Sequence, residues 1–298
     1  MPSVYVCCPA YGLDGPLRKA RILEAIAPVA TELGLTVVAS PLMDRHIGPG
    51  AWLPVAERRT DLRSALQHDV VWASAGGYGS VHLVEDLLHL EAARRPWLIG
   101  YSDITVMHAC WRWRDWGEGI YCALPGELGG RSGQSMLALL RGEGYQRSGA
   151  IDAGVRVLRA GTAAGICQPA CLSVLAGLCG TPAQPQLRGC VLAIEDVDER
   201  PFELDFALMQ LSLSGALDGL AGLIGGNFTH KDRSDYEGPS SEEVIASWAH
   251  RLQVPSISRM PFGHIDDGLA MPSGRSVELV GGADGSWRFD VASGPSCL

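Results

Sequence analysis

Trp97-Leu-Ile-Gly100-Tyr-Ser102-Asp-Ile-Thr105 decides how this chain is read. A short apolar run ends at Gly100, Ser102 follows, and a helical pattern starts at once from Asp103. That is a strand-to-helix elbow, the turn on which a serine hydroxyl is presented, with a small residue two places before it where a Cβ would collide. The hydrolase elbow G-x-S-x-G wants a second glycine two places after the serine, and Ile104 stands there. Two readings of Ser102 therefore stay open from this stretch alone: a nucleophile, or a serine capping a helix N-terminus.

Outward from the elbow, the first half alternates strands and helices. Strands are expected at Val4–Cys8, Thr36–Ala39, Val70–Ala73 and Trp97–Ile99. Between them, Asp14-Gly-Pro16 opens a helix with Ile22, Leu23, Ile26, Val29 and Leu33 on a helical period and Gly34 as its stop. Further helices are expected at Val55–Gln67, Ser80–Leu90 and Asp103–Trp116. Repeated β-α alternation implies an α/β protein with a mainly parallel sheet, whose functional loops gather beyond the carboxyl ends of the strands. Ser102 and the glycine loop at 76–79 both take that position. From Gly142 to Arg159 the pattern loosens, which divides the chain into an N-terminal domain (1–141), a linker (142–159) and a C-terminal domain (160–298). The last is read as a smaller α/β unit with strands at Cys190–Ile194 and Leu220–Ile224, helices at Phe202–Leu213 and Ser241–Leu252, and a hairpin of Ser276–Val280 and Ser286–Val291 around Ala283-Asp-Gly285. Cys167 and Cys171 are spaced as neighbours on one helix face.

Composition narrows the chemistry. A net charge of −9 works against a phosphate-backbone-binding surface, so nucleic acid is excluded as an expected partner. Lys19 and Lys231 are the only lysines, leaving lysine-based catalysis two candidates. No apolar run reaches membrane-spanning length, and the N-terminus has no signal-peptide pattern, so no membrane is expected and the cytoplasm is the expected compartment. The nine cysteines are scattered and lack paired C-x-x-C spacing, consistent with buried free thiols rather than a metal site.

Three constellations remain. Ser74-Ala-Gly-Gly-Tyr-Gly-Ser80 lies between a strand and a helix; its glycines suit an anion or oxyanion cradle, or simply a tight turn. In Val191-Leu-Ala-Ile-Glu195-Asp-Val-Asp-Glu199, a carboxylate ends an apolar strand, where it can orient a histidine; the surrounding acids also suit a helix N-terminus. Pro261-Phe-Gly-His264-Ile-Asp-Asp-Gly268 sets one histidine in a loop, as a proton shuttle or as a structural residue.

Together these motifs resemble the LD-carboxypeptidase family of serine peptidases, which also includes the microcin C immunity peptidases. The resemblance runs through Gly50-Ala-Trp-Leu to Glu57-Arg-Arg, Asp61-Leu, Ala75-Gly-Gly-Tyr-Gly-Ser80, Ile99-Gly-Tyr-Ser-Asp-Ile-Thr105, Ile194-Glu-Asp-Val-Asp-Glu199, Asp205 with Gln210-Leu211, and Pro261-Phe-Gly-His264. It implies Ser102 as nucleophile, His264 as base and Glu195 as the carboxylate orienting it. Backbone N–H groups of Asp103 and of Gly76 or Gly77 would form the oxyanion hole. It also implies an N-terminal domain like a class I glutamine amidotransferase, a site between two domains, a homodimer, and no metal or organic cofactor. The implied activity is removal of the terminal D-alanine from the L,D bond of murein tetrapeptides in cytoplasmic cell-wall recycling, a small-peptide substrate. Hydrolysis of peptidyl- or aminoacyl-nucleotide toxins, or muropeptide binding without catalysis, are the alternatives. The pattern departs from the family at Ala75 and His82, where it usually carries arginines. It departs again at Gln168-Pro-Ala-Cys171 and at Leu124-Pro-Gly126. These changes bear on the substrate, because arginines commonly fix a carboxylate bidentately.

Overall fold

The computed structural model describes residues 1–13, 15–45, 52–92, 94–229 and 236–297. Asp14 at the first helix opening, Gly50-Ala51 of the motif set and Lys231 lie outside the described residues.

Two sheets organise the chain. The first is built from β1 (Ser3–Cys7), β2 (Thr36–Ala39), β3 (Val70–Ala73), β4 (Trp97–Gly100) and β5 (Gly119–Tyr121), all parallel. Strands β3 and β4 are buried along their whole length, which is why their sequences are continuous apolar runs rather than alternating ones. The intervening helices are α1 (Pro16–Glu32), α2 (Val55–Ala65), α3 (Val84–His89) and α4 (Thr105–Arg114). Pro16 takes the first helical position of α1, where a missing N–H costs nothing, and Ile22, Ile26 and Val29 form its buried stripe. After α5 (Arg131–Leu140) the chain leaves this sheet.

The second sheet holds β6 (Tyr145–Ser148), β7 (Arg156–Arg159), β8 (Gly161–Cys171), β9 (Cys190–Asp196), β10 (Gly222–Phe228) and β11 (Ser256–Ser258). Helices α6 (Leu172–Ala176), α7 (Pro201–Leu213) and α8 (Ser241–Leu252) connect its parallel centre, β8 to β11. The next strand, β12 (Met271–Ser273), returns to the first sheet and pairs antiparallel with β5. The chain ends in the second sheet with the expected hairpin, β13 (Ser276–Gly281) and β14 (Trp287–Val291).

Two expectations change. The segment 142–159, expected as a linker, carries β6 and β7, which form the two opposite edges of the second sheet. Among the described residues that sheet has eight strands and the first has six. Cys167 and Cys171 lie on β8, not on a helix. This strand is composed mostly of small residues and includes Pro169, so it lacks the β-branched signal of a strand. The proline is tolerated because β13 pairs only with residues up to Ile166, leaving β9 as the ladder partner beyond it. All nine cysteines are free thiols, and all but Cys179 are buried.

The first sheet runs β12-β5-β4-β3-β1-β2, so strand order reverses between β1 and β3. Loops at the carboxyl ends of strands flanking such a reversal form a ready crevice. One apolar core joins the sheets, taking in Val6, Ile99 and Ile120 from the first and Ala193, Ile224 and Phe262 from the second half.

Candidate active site

Ser102 lies just past the carboxyl end of β4 with φ +62°, a left-handed conformation that a serine adopts only under constraint. The constraint is visible around it. A Cβ on Gly100 would stand 2.9 Å from Ile104 Cγ2 and 3.1 Å from Ala73 Cβ, so the bulky residue in place of the second elbow glycine is what makes Gly100 necessary. The Ser102 N–H donates to the Tyr121 hydroxyl at 3.0 Å.

The glycine loop packs directly on this turn, with a Cβ on Gly76 falling 3.4 Å from Ser102 Oγ. Asp103 fastens the two segments: its carboxylate accepts the Ser80 N–H at 2.8 Å, and its carbonyl accepts the Ser80 hydroxyl at 2.6 Å. Buried Arg58 holds the loop from the other side, donating to Pro9 O at 2.8 Å, Gly79 O at 2.6 Å and Leu53 O at 3.0 Å. Asp61 ties down the end of β1 through Cys8 N–H at 2.8 Å and the Tyr5 hydroxyl at 2.7 Å. Arg58 and Asp61 of these motifs are thus scaffolding for the loops.

Glu195 is fully buried near the carboxyl end of β9. Its Oε2 accepts from His264, Nδ1 at 2.7 Å and the backbone N–H at 3.2 Å. Its Oε1 accepts the Tyr121 hydroxyl at 2.6 Å. A buried carboxylate needs such donors on both oxygens. Burial above all, then the charge of Glu195, pushes the Tyr121 phenol far above its ordinary value, so it stays protonated and donates. Burial pulls the His264 pKa down, but the hydrogen bond and charge of Glu195, with Asp196 and Asp198, outweigh it and the net shift is upward. The Nδ1–H bond to Glu195 leaves Nε2 as the free face of the ring.

The histidine loop is held from a distance. Gly263 has φ +109°, and a Cβ there would stand 2.6 Å from Glu195 Oε2. Asp267 caps α5, accepting Ser132 N–H at 2.8 Å, Ser132 Oγ at 2.9 Å and Arg131 N–H at 2.9 Å. The acids near Glu195 divide: Asp196 accepts the Ser173 N–H at 2.7 Å at the start of α6, and Glu203 closes the first turn of α7 on Arg200 N–H at 2.7 Å. His108, beneath the elbow, binds Gly100 O at 3.0 Å; burial lowers its pKa to about 4, so it is a neutral core residue.

Ser102 and His264 line one cavity of about 480 Å³, with Tyr11, Gly12, Leu13 and Arg18 after β1, Ala75–Gly77 after β3, Tyr101 after β4 and Val197 after β9. Among the described residues no hydrogen bond joins Ser102 Oγ to the imidazole in this conformation. Among the described residues, no group of three or more His, Cys, Asp or Glu could hold a metal ion and no helix is long and apolar enough to cross a membrane. The fold therefore brings Ser102, Gly76, Gly77 and His264 to one space, with Glu195 behind the histidine. The sequence reading missed Tyr121, which lies 19 residues from Ser102 and 74 from Glu195 and carries no local signature.

Two family profiles match: the LD-carboxypeptidase N-terminal domain over residues 4–117 and the LD-carboxypeptidase C-terminal domain over residues 164–279. A putative carboxypeptidase of Streptomyces coelicolor is 32% identical over 283 residues, covering 89% of this chain and 87% of that protein. The murein tetrapeptide carboxypeptidase of Pseudomonas aeruginosa is 29% identical over 294 residues, covering 90% and 94%. The crystal structure of muramoyltetrapeptide carboxypeptidase from Oxalobacter formigenes superposes with a TM-score of 0.77 at 22% identity, covering 98% of this chain and all of that one.

Proposed function

The chain belongs to the LD-carboxypeptidase family of peptidase hydrolases, and on that premise we propose that it is a serine peptidase removing the terminal D-alanine from the L,D bond of murein tetrapeptides. The observation that carries this reading is the pairing of His264 Nδ1 with buried Glu195 at 2.7 Å, on a ring that shares its cavity with the Ser102 hydroxyl.

Ser102 Oγ attacks the scissile carbonyl while His264 Nε2 takes its proton, and Glu195 holds the imidazolium in place. The tetrahedral oxyanion is received by backbone N–H groups, Asp103 on one side and Gly76 or Gly77 on the other. Collapse breaks the C–N bond as His264 returns the proton to the leaving amine, leaving an acyl ester on Ser102. Water, deprotonated by the same histidine, then releases the shortened peptide. The name of the Pseudomonas aeruginosa relative supports the substrate class. The same reading gives a cytoplasmic homodimer acting in cell-wall recycling, with residues 1–141 supplying the nucleophile and 160–298 the glutamate and histidine. Sedimentation measures its mass.

Incubation of the purified protein with murein tetrapeptide, followed by mass spectrometry, tests the activity. Loss of one D-alanine by wild type and not by Ser102→Ala is expected. An untouched tetrapeptide beside a cleaved aminoacyl-sulfamoyl-adenylate would move the substrate to the toxin class, and inertness toward both would leave a muropeptide-binding protein.

A further inference from the structure

The catalytic cavity has a neighbour. A second space, of about 240 Å³, shares Arg18, Ala75, Gly76 and Tyr101 with the first and extends past Gly100 and Ile104 to Cys122, Leu124 and Asp266. Among the described residues, Arg18 is the only lysine or arginine lining either space. Among those residues it also has no ion-pair partner, although Asp266 lines the second space with it. Its charge is nonetheless felt inside, where it opposes the effects of burial and of Glu195 on the Tyr101 phenol.

The helix makes this placement mildly unfavourable for a cation and favourable for an anion beside it. Arg18 lies in the first turn of α1, a 17-residue helix with no acidic residue in that turn and no side-chain cap. Cations are disfavoured at a helix N-terminus, whereas an anion there gains from both the helix and a guanidinium. The methyl side chain of Ala75, where the resembled family usually carries arginine, lines both spaces together with Arg18. An exopeptidase that cuts one residue from an end needs a cation near its nucleophile, because one residue spans only about 3.5 Å. Arg18 and Ser102 line the same cavity.

We propose that Arg18 is the carboxylate anchor of this site, receiving the free terminal carboxylate of the peptide while the carbonyl one residue inward lies at Ser102. The proposal rests on the peptidase reading for its purpose, but binding tests it separately. Calorimetry on Ser102→Ala protein compares murein tetrapeptide with the same peptide as a terminal carboxamide. The free acid should bind about 10- to 100-fold more tightly, the range expected of a charge-assisted pair. On adding Arg18→Ala the two forms should bind within about twofold of each other. Arg18→Lys should restore part of the preference, as a point charge without the fork. Equal binding of acid and amide with Arg18 present, binding of neither, or a preference that survives Arg18→Ala would overturn it. If the preference depends on Arg18 while wild type releases no D-alanine, the anchor stands and the peptidase reading falls. If wild type releases D-alanine while the preference is indifferent to Arg18, the peptidase reading stands and the anchor falls.

Discussion

The two corners that meet at the cavity are built on opposite principles. The Ser102 corner is local: β4, the turn and α4 follow one another directly, and the serine is aimed by a regular strand-to-helix unit. The His264 corner is irregular chain between β11 and β12, and almost everything that fixes it is remote. Glu195 is 69 residues away, the Asp267 cap on Ser132 spans 135, and β12 crosses to the first sheet to pair with β5. The serine turn is supplied by regular structure, whereas the tautomer and orientation of the histidine are fixed by long-range bonds.

Among changes to the supports of the remote corner, the largest loss is expected at Glu195. Glu195→Gln removes the charge that holds the His264 ring, and kcat should fall by about 10³- to 10⁴-fold. Because Glu195 raises the His264 pKa and the base acts only when neutral, wild-type activity should fade as pH drops through that raised value. In Glu195→Gln the acid limb should move to lower pH, which a kcat/KM profile reads directly. Gly263→Ala forces a Cβ into the Glu195 carboxylate from a left-handed backbone, and about 10²-fold should be lost. Wild-type kcat in that variant would show that the histidine does not depend on this contact.

Tyr121→Phe tests the link between corners, since one hydroxyl serves both Ser102 N–H and Glu195 Oε1. A buried carboxylate oxygen left without its donor costs about 1–3 kcal/mol, measurable by denaturant melts, and kcat should drop about tenfold. Relieved of that donor, Glu195 pulls harder on the His264 proton, so the acid limb should move to higher pH. A purely structural tyrosine would leave the limb in place. The smallest effect is expected at Asp267→Ala, about 1 kcal/mol of stability for the lost α5 cap and a severalfold decrease in kcat as the histidine loop loosens.

The same contrast explains what could be read in advance. Strands β2 and β3 and helix α8 match their sequence-expected bounds, because short β-branched apolar runs and a Ser240–Glu243 capping box are local signals. Strands β5, β11 and β12 have three residues each, too few to display a period. Strand β8 hid behind small residues and a proline. At the site, Ser102 and its glycine loop announce themselves through turn chemistry. His264 and Glu195 carry weak individual signals that only the ordered set of motifs raised. Tyr121 and Arg18 were silent, one in a short strand and the other on a helix surface, because their significance lies in what the fold brings beside them.

Whether two such differently built corners act as one device is tested most directly by a double-mutant cycle. Turnover of murein tetrapeptide is measured for wild type, Ser102→Ala, His264→Ala and the double variant. Residues acting as a unit are grossly non-additive, so each single change and the double should fall to the same residual rate, about 10⁴-fold or more below wild type. Losses that multiply in the double variant would mean that serine and histidine contribute independently, and the account of a single nucleophile-base unit would be wrong.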